Sequence, residues 1–168
     1  METVYLSLGS NMGDRAQNIA RAIAALGAHG VRVTRESSLY ETEPVDVRGD
    51  GWFLNCVIEA ETDMAPEELM QVLLSIERSF GRQRRAISDG PKDSRTIDMD
   101  VLLFGSRVVS TPELKIPHPR MAERRFVLVP FAEIAPDARH PVLSKTIAEL
   151  LAQTRDRSQV RRADALQE

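Results

Sequence analysis

Between Thr3 and Phe104 the hydrophobic period of this chain switches from two to about 3.6 and back, twice. Residues 3–8, TVYLSL, alternate in polarity as a half-buried strand does, and Gly9-Ser10-Asn11 is read as the break that ends it. Asp14 can cap a helix from about Arg15 to Ala28, with Ile19, Ala22, Ile23 and Leu26 on one stripe. Gly27 and Gly30 sit where that helix should stop. Residues 31–40 read as a second strand and 53–60, FLNCVIEA, as a third. Thr62, Asp63 and Pro66 announce a second helix over about 66–80, with Leu69, Val72, Leu73, Ile76 and Phe80 on its apolar side. Residues 96–104, TIDMDVLLF, form the clearest strand: the first half alternates and the second is continuously apolar.

The order is β-α-β-β-α-β, which admits few ways of burying both helix stripes. It is the ferredoxin-like split βαβ pattern of the α+β class, an antiparallel sheet with two helices on one face. After Gly105 come a short strand near 107–109, a proline-rich segment through Pro117 and Pro119, and helices near 120–132 and 144–153. These make a C-terminal helical extension. Residues 1–155 are expected to form a single domain, and the arginine-rich 156–168 a frayed tail.

Charge narrows the function. Lys plus Arg total 22 against 25 Asp plus Glu, a net −3, which argues against a general nucleic-acid binder. No apolar run is long enough to span a membrane. The start, METVYLSLGS, lacks the basic and long apolar regions of a secretory signal, and one cysteine, Cys56, allows no internal disulfide. A cytoplasmic protein, monomeric or a small oligomer, is the expectation.

Four features carry candidate chemistry. In Asp98-Met99-Asp100 the two acids, at i and i+2 of a strand, share a face roughly 7 Å apart at Cα. Two hard carboxylates so placed suit Mg²⁺ bound together with substrate phosphates, or are two acids on a solvated strand face. Residues 81–94 hold Arg82, Arg84, Arg85 and Lys92, with Arg95 just beyond, and are too polar for core. Guanidinium forks match phosphate oxygens, but a basic loop also serves solubility. His118 stands between Pro117 and Pro119 on a stiffened backbone, where it can serve a ligand or a loop carbonyl. Trp52, Phe53 and Phe126 are rings that can hold a flat heterocycle or simply fill core, and Asn55 is an amide among apolar neighbours that needs partners. No G-x-x-x-x-G-K-[ST] loop is present, so nucleotide phosphates would fall to metal and arginines.

Taken together these pieces resemble the 6-hydroxymethyl-7,8-dihydropterin pyrophosphokinases of folate biosynthesis. The resemblance rests on Leu8-Gly9-Ser10-Asn11, 38–44 (SLYETEP), Phe53-Leu54-Asn55, Ile76-Glu77, 81–84 (GRQR), 95–100 (RTIDMD), Pro117-His118-Pro119 and Arg124-Arg125-Phe126, in order from residue 4 to about 152. It implies transfer of pyrophosphate from ATP to the pterin hydroxymethyl group, with release of AMP. It implies that Asp98 and Asp100 hold magnesium, two ions, and that Arg82 and Arg95 act with them on the phosphates. Glu77, Arg84, Val101, His118 and Arg124 are implied at ATP, and Thr42, Pro44, Val45, Phe53, Asn55 and Phe126 at the pterin. Its implied partners are those two small molecules, without nucleic acid or membrane, on a monomer.

Family members often carry R-W-G-P-R ahead of the acidic pair. This chain instead has 88–95, SDGPKDSR, with no tryptophan and about three extra residues. Residues 82–95 are expected to act as a lid drawn over the phosphates by its arginines. Two rivals fit parts of the pattern. One is an RNA-binding module, which lacks its aromatic strand motif here; the other is a two-metal nuclease, which the paired acids and arginines also suit.

Overall fold

In the computed structural model residues 1–43, 52–81 and 96–163 are described. Strand β1 (Glu2–Ser10) lies inside the sheet, next to one edge. It pairs antiparallel with β4 (Phe53–Thr62) on one side and β5 (Asp98–Phe104) on the other. The strand ends within the expected Gly9-Ser10-Asn11 break, at Ser10, but Gly9 itself remains in it. Gly9 pairs with Asn55 across one edge of β1 and with Asp98 across the other, and pairing on both sides overrides the weak strand preference of glycine.

The second strand divides in two. β2 (Arg32–Glu36) lies along the far half of β4, and β3 (Tyr40–Thr42) along its beginning. The interruption falls at Ser37, whose hydroxyl accepts the Val57 N–H at 2.9 Å while its own N–H donates to the Val57 carbonyl at 2.9 Å. A side chain there replaces one rung of the ladder. The full sheet runs β5-β1-β4-β3-β8, where β8 is the late strand Val160–Arg162, with β2 also on β4.

β8 (Val160–Arg162) lies in the stretch expected to fray. It pairs with β3, and flanking bonds extend the join: Glu43 N–H to the Gln159 carbonyl at 3.3 Å and Ala163 N–H to the Leu39 carbonyl at 2.8 Å. Short β3 would otherwise present a bare edge.

Helix α1 (Arg15–Ala28) starts where expected, with Asp14 Oδ1 accepting the Gln17 N–H at 3.1 Å. Ile19, Ala22 and Leu26 are buried, with Ile23 half-buried beside them. Asn18, also buried, bonds Ser10 Oγ and the Met12 carbonyl and thereby ties the β1–α1 turn. Helix α2 (Pro66–Ser79) opens on Pro66, and Glu68 reaches back to the Ala65 N–H at 3.2 Å. Both helices cover one face of the sheet, where Leu6, Leu8, Cys56, Ile58, Met99 and Phe104 form the core with Leu26, Leu69, Leu73 and Ile76.

The other face has its own, smaller core. Val57, Leu102 and Leu103 meet Val127, Leu128 and Phe131 of α3 (Arg125–Ile134), backed by Ile147 and Leu150 of α4 (Ile147–Gln153). Between β5 and α3 a small hairpin of β6 (Val109–Ser110) and β7 (Lys115–Ile116) and a 3-10 turn (Met121–Glu123) complete the chain. The short strand expected near 107–109 therefore begins two residues later. The described residues thus form a mixed α+β fold with an antiparallel sheet and four helices, none long and apolar enough to cross a membrane.

Candidate active site

Strand alternation and register decide which side chains share the second face. Across the sheet, Asp98, Gly9, Asn55 and Tyr40 stand in one row, and Asp100, Ser7 and Val57 in the next row but one. Phe53 and Thr42 form a row on the other side of Asn55. All project away from α1 and α2. Asp98 and the amide therefore flank a residue without a side chain. Asp98, Asp100 and Phe53 are half-buried, whereas Asn55 and Thr42 are buried.

Asn55 is oriented by its neighbours. Its Nδ2 donates to Thr42 Oγ1 at 2.6 Å, and its Oδ1 lies over Gly9, where an added Cβ would collide with it. A carboxamide so held offers a fixed donor and acceptor, which is what reading the edge of a heterocycle requires.

Between the two aspartates, Met99 points into the core at 3 % exposure. Its backbone N–H donates to Glu77 Oε2 at 2.9 Å, and Glu77, on α2, is 1 % exposed. β5 is the edge of the sheet, so that N–H has no further strand to meet. Glu77 thus locks α2 to the strand at the residue separating the two acids.

Glu77, Asp100, Val101, His118, Lys115 and Leu73 line a cleft of about 220 Å³. His118 is set by its backbone and its ring. Its N–H donates to the Leu102 carbonyl at 3.0 Å, and its Nδ1 accepts the Arg120 N–H at 3.2 Å. Acceptance at Nδ1 puts the proton of a neutral ring on Nε2, which becomes a donor. The cleft is apolar along Leu73 and Leu114 and polar at Asp100 and His118, a shape suited to a base-and-sugar ligand whose phosphates reach the acids.

Arg124 and Phe126 do not line this cleft; they lie at the start of α3, on a second one of about 430 Å³ shared with Gln153 and Asp156. The Arg124 guanidinium sits 5.5 Å from the Phe126 ring centre. The structure therefore groups Glu77, Asp100, Val101 and His118 in one cleft, aligns Asp98, Asn55, Thr42 and Phe53 along one stripe, and places Arg124 and Phe126 on a separate wall. Pro44, Val45, Arg82, Arg84 and Arg95, together with the expected lid 82–95, lie outside the described residues.

Sequence reading missed Gly9 as a site residue and Leu73, Leu114 and Lys115 as cleft lining. Read as part of the break that ends the strand, Gly9 carries no mark of close approach; its pairing on both sides supplies one. The lining residues carry no such mark, because an apolar α2 position looks the same whether it meets core or cleft.

Among the described residues no group of three or more His, Cys, Asp or Glu is placed to hold a metal. The paired Asp98 and Asp100 nonetheless fit Mg²⁺, which commonly takes one or two carboxylates and fills its shell with water and phosphate oxygens.

Comparison with known proteins points the same way. The family model of 7,8-dihydro-6-hydroxymethylpterin-pyrophosphokinase matches residues 5–136. A 2-amino-4-hydroxy-6-hydroxymethyldihydropteridine pyrophosphokinase of Bacillus subtilis is 46% identical over 131 residues, 77% of this chain and 76% of its own. One from Methylorubrum extorquens is 43% identical over 153 residues, 90% of this chain and 93% of its own. The folic acid synthesis protein fol1 of Pneumocystis carinii is 40% identical over 88% of this chain, which spans only 19% of that longer protein. Among solved structures, an HPPK-DHPS in complex with substrates superposes with a TM-score of 0.71 at 13% identity, over 90% of this chain and 43% of that one, a likeness of fold.

Proposed function

Because the chain belongs to the 7,8-dihydro-6-hydroxymethylpterin-pyrophosphokinase family, we propose that it transfers pyrophosphate from ATP to 6-hydroxymethyl-7,8-dihydropterin, releasing AMP, in folate biosynthesis. The observation that carries this reading onto residues is the single row Asp98–Gly9–Asn55, which sets a metal-type acid and a heterocycle-reading amide on either side of a bare backbone.

In this reading the pterin hydroxymethyl oxygen attacks the β-phosphorus of ATP, and the bond from that phosphorus to the α-phosphate oxygen breaks. The cleft of Glu77, Val101 and His118 takes the adenosine end, with His118 Nε2 as a donor. Asn55, fixed by Thr42, reads the pterin edge between the rings of Phe53 and Phe126, and Pro44 and Val45 add neighbouring contacts. Asp98 and Asp100 would hold Mg²⁺, two ions, which when bound supplies charge neutralisation and alignment of the phosphates. Arg82, Arg84, Arg95 and Arg124 are assigned to phosphate oxygens, and residues 82–95 to a lid. No side chain is assigned as a strong base. Positioning and electrostatics carry the rate.

Residues 1–155, together with β8, which pairs with β3, are read as one pyrophosphokinase domain, monomeric and cytoplasmic, acting on ATP and the pterin and on neither nucleic acid nor membrane. The strand order β5-β1-β4-β2 with α1 and α2 on one face supports a ferredoxin-like core, extended by α3 and α4. Incubation with ATP, Mg²⁺ and the pterin tests the activity: AMP should form in proportion to pterin consumed. AMP that forms equally without pterin would instead mark a phosphohydrolase.

Three variants test the assignment of residues. Asn55→Ala should weaken pterin binding by about 1–3 kcal/mol, since ring polar groups then lose their partner, and leave binding of an ATP analogue nearly unchanged. Equal losses for both ligands, measured by calorimetry, would make Asn55 structural. Arg82→Ala and Arg95→Ala should each slow turnover about tenfold, ~1.4 kcal/mol of barrier, with a smaller loss in nucleotide affinity. Single-turnover kinetics separate the two quantities, and an unchanged chemical rate would remove these arginines from the reaction.

A further inference from the structure

The last described residues of the chain touch both walls of the proposed pterin slot. Helix α3, whose first turn carries Arg124 and Phe126, receives no cap from the side chain of its own N-cap residue, Arg124. Asp156 supplies it from 31 residues away: its Oδ2 accepts the Arg125 N–H at 2.7 Å. The other oxygen, Oδ1, accepts the Ser158 N–H at 2.9 Å and the Ser158 hydroxyl at 2.5 Å. Burial pushes the Asp156 carboxyl up, but the bonds from Ser158 and Arg125 and the Arg125 charge outweigh it, so it stays below its ordinary value as an ionised cap.

The same segment then crosses to the other wall. Arg161 stacks over the ring of Trp52, 4.4 Å from its centre, and Trp52 immediately precedes Phe53. Glu41 links the pieces, 4.0 Å from Arg161 and 2.6 Å from Arg15, and Arg15 donates to the Trp52 carbonyl at 2.8 Å. β8 also pairs Val160 with Thr42, the residue that holds Asn55. Four residues lie between Asp156 and Arg161, five steps of the chain, so these anchors stand at most roughly 18 Å apart. The helix turn bearing Phe126 and the strand start bearing Phe53 cannot drift further apart than that tether permits.

We infer that residues 154–163 are a brace that sets the spacing of the two pterin-slot walls, with Asp156 and Arg161 as its positioning residues. The inference rests on the slot proposed above. A tail that merely stabilised the fold would affect both substrates alike, whereas a brace on this slot affects the pterin.

The chain has one tryptophan, so its fluorescence reports Trp52 alone. In the full-length chain, Arg161→Ala should shift that emission in the free protein. It should raise the pterin KM roughly three- to tenfold, with kcat and the ATP KM within about twofold, from loss of one stacked cation. Arg161→Lys, which keeps a cation over the ring, should restore most of both. Asp156→Ala should speed amide hydrogen exchange at 125–128 and raise the pterin KM by a similar roughly three- to tenfold, as loss of a helix cap would. Asp156→Asn, which keeps an acceptor, should fall between. The brace is overturned if the emission is unchanged in Arg161→Ala, if both KM values rise together, or if Arg161→Lys behaves as the alanine does. A wild-type chain that makes no AMP from ATP and pterin defeats the activity instead. The brace fails separately, when wild type is active and the variants leave the pterin KM unmoved.

Discussion

Asp98→Asn and Asp100→Asn should each lower AMP formation at least about a thousandfold, roughly 4 kcal/mol of barrier, without unfolding the protein. Both side chains lie on the open face of β5, opposite Gly9 and Ser7 on β1. Neither is part of the apolar core, which on this strand is made by Met99, Val101, Leu102, Leu103 and Phe104. The bond that fixes the strand between them, Met99 N–H to Glu77, uses backbone and survives either change. An amide keeps the shape of the carboxylate and removes its charge, so the loss falls on cation binding and phosphate alignment rather than on packing. The melting temperature should stay within about 4 °C of wild type, a change worth no more than about 1–2 kcal/mol. The measurement is AMP release at saturating ATP and pterin across a Mg²⁺ titration. A variant retaining a tenth of the wild-type rate would take that aspartate out of the metal site, and a rate restored by more Mg²⁺ would reduce its role to affinity.

Elements marked by local chemistry were legible before any coordinates. Asp14 and Pro66 fix the starts of α1 and α2 through capping and a preset φ, and both helices begin where those residues say. Alternation around Asp98-Met99-Asp100 gives the shared face of the acids, because a period of two admits only one. What depends on pairing partners was not legible. Nothing local says that Gly9 stays in strand, since its place comes from two neighbours more than 40 residues away. The division at Ser37 depends on a bond to Val57, and the ordering of 160–162 on the edge of β3. Site residues divide in the same way. Asn55 was suspect as an amide in an apolar strand, yet its partner Thr42 belongs to a strand whose boundaries local pattern blurred. Glu77 was assigned to the nucleotide by resemblance alone. Its bond to the Met99 N–H, which no spacing in the sequence displays, gives it a place in the strand that carries the acids.

Gly9→Ala should lower pterin affinity by about 2–4 kcal/mol, the sum of an overpacked contact and a broken hydrogen bond. A methyl at this position would collide with Asn55 Oδ1 and lie 3.7 Å from the Phe53 ring. The backbone cannot retreat, because Gly9 is paired on both sides, to Asn55 itself and to Asp98. The carboxamide must therefore rotate, and rotation costs its 2.6 Å bond to Thr42 Oγ1 and turns the wrong edge to the ligand. ATP binding should change far less, because Glu77, Val101 and His118 lie along a different cleft. The double variant Gly9→Ala/Asn55→Ala separates the routes: with the amide gone the methyl has room, so the second substitution should add little to the loss from Asn55→Ala alone. Calorimetric titration of the pterin into all three variants in the presence of an ATP analogue measures that coupling. Additive losses would mean that the methyl acts through the backbone rather than through Asn55, and an unchanged affinity in Gly9→Ala would place the pterin away from this row.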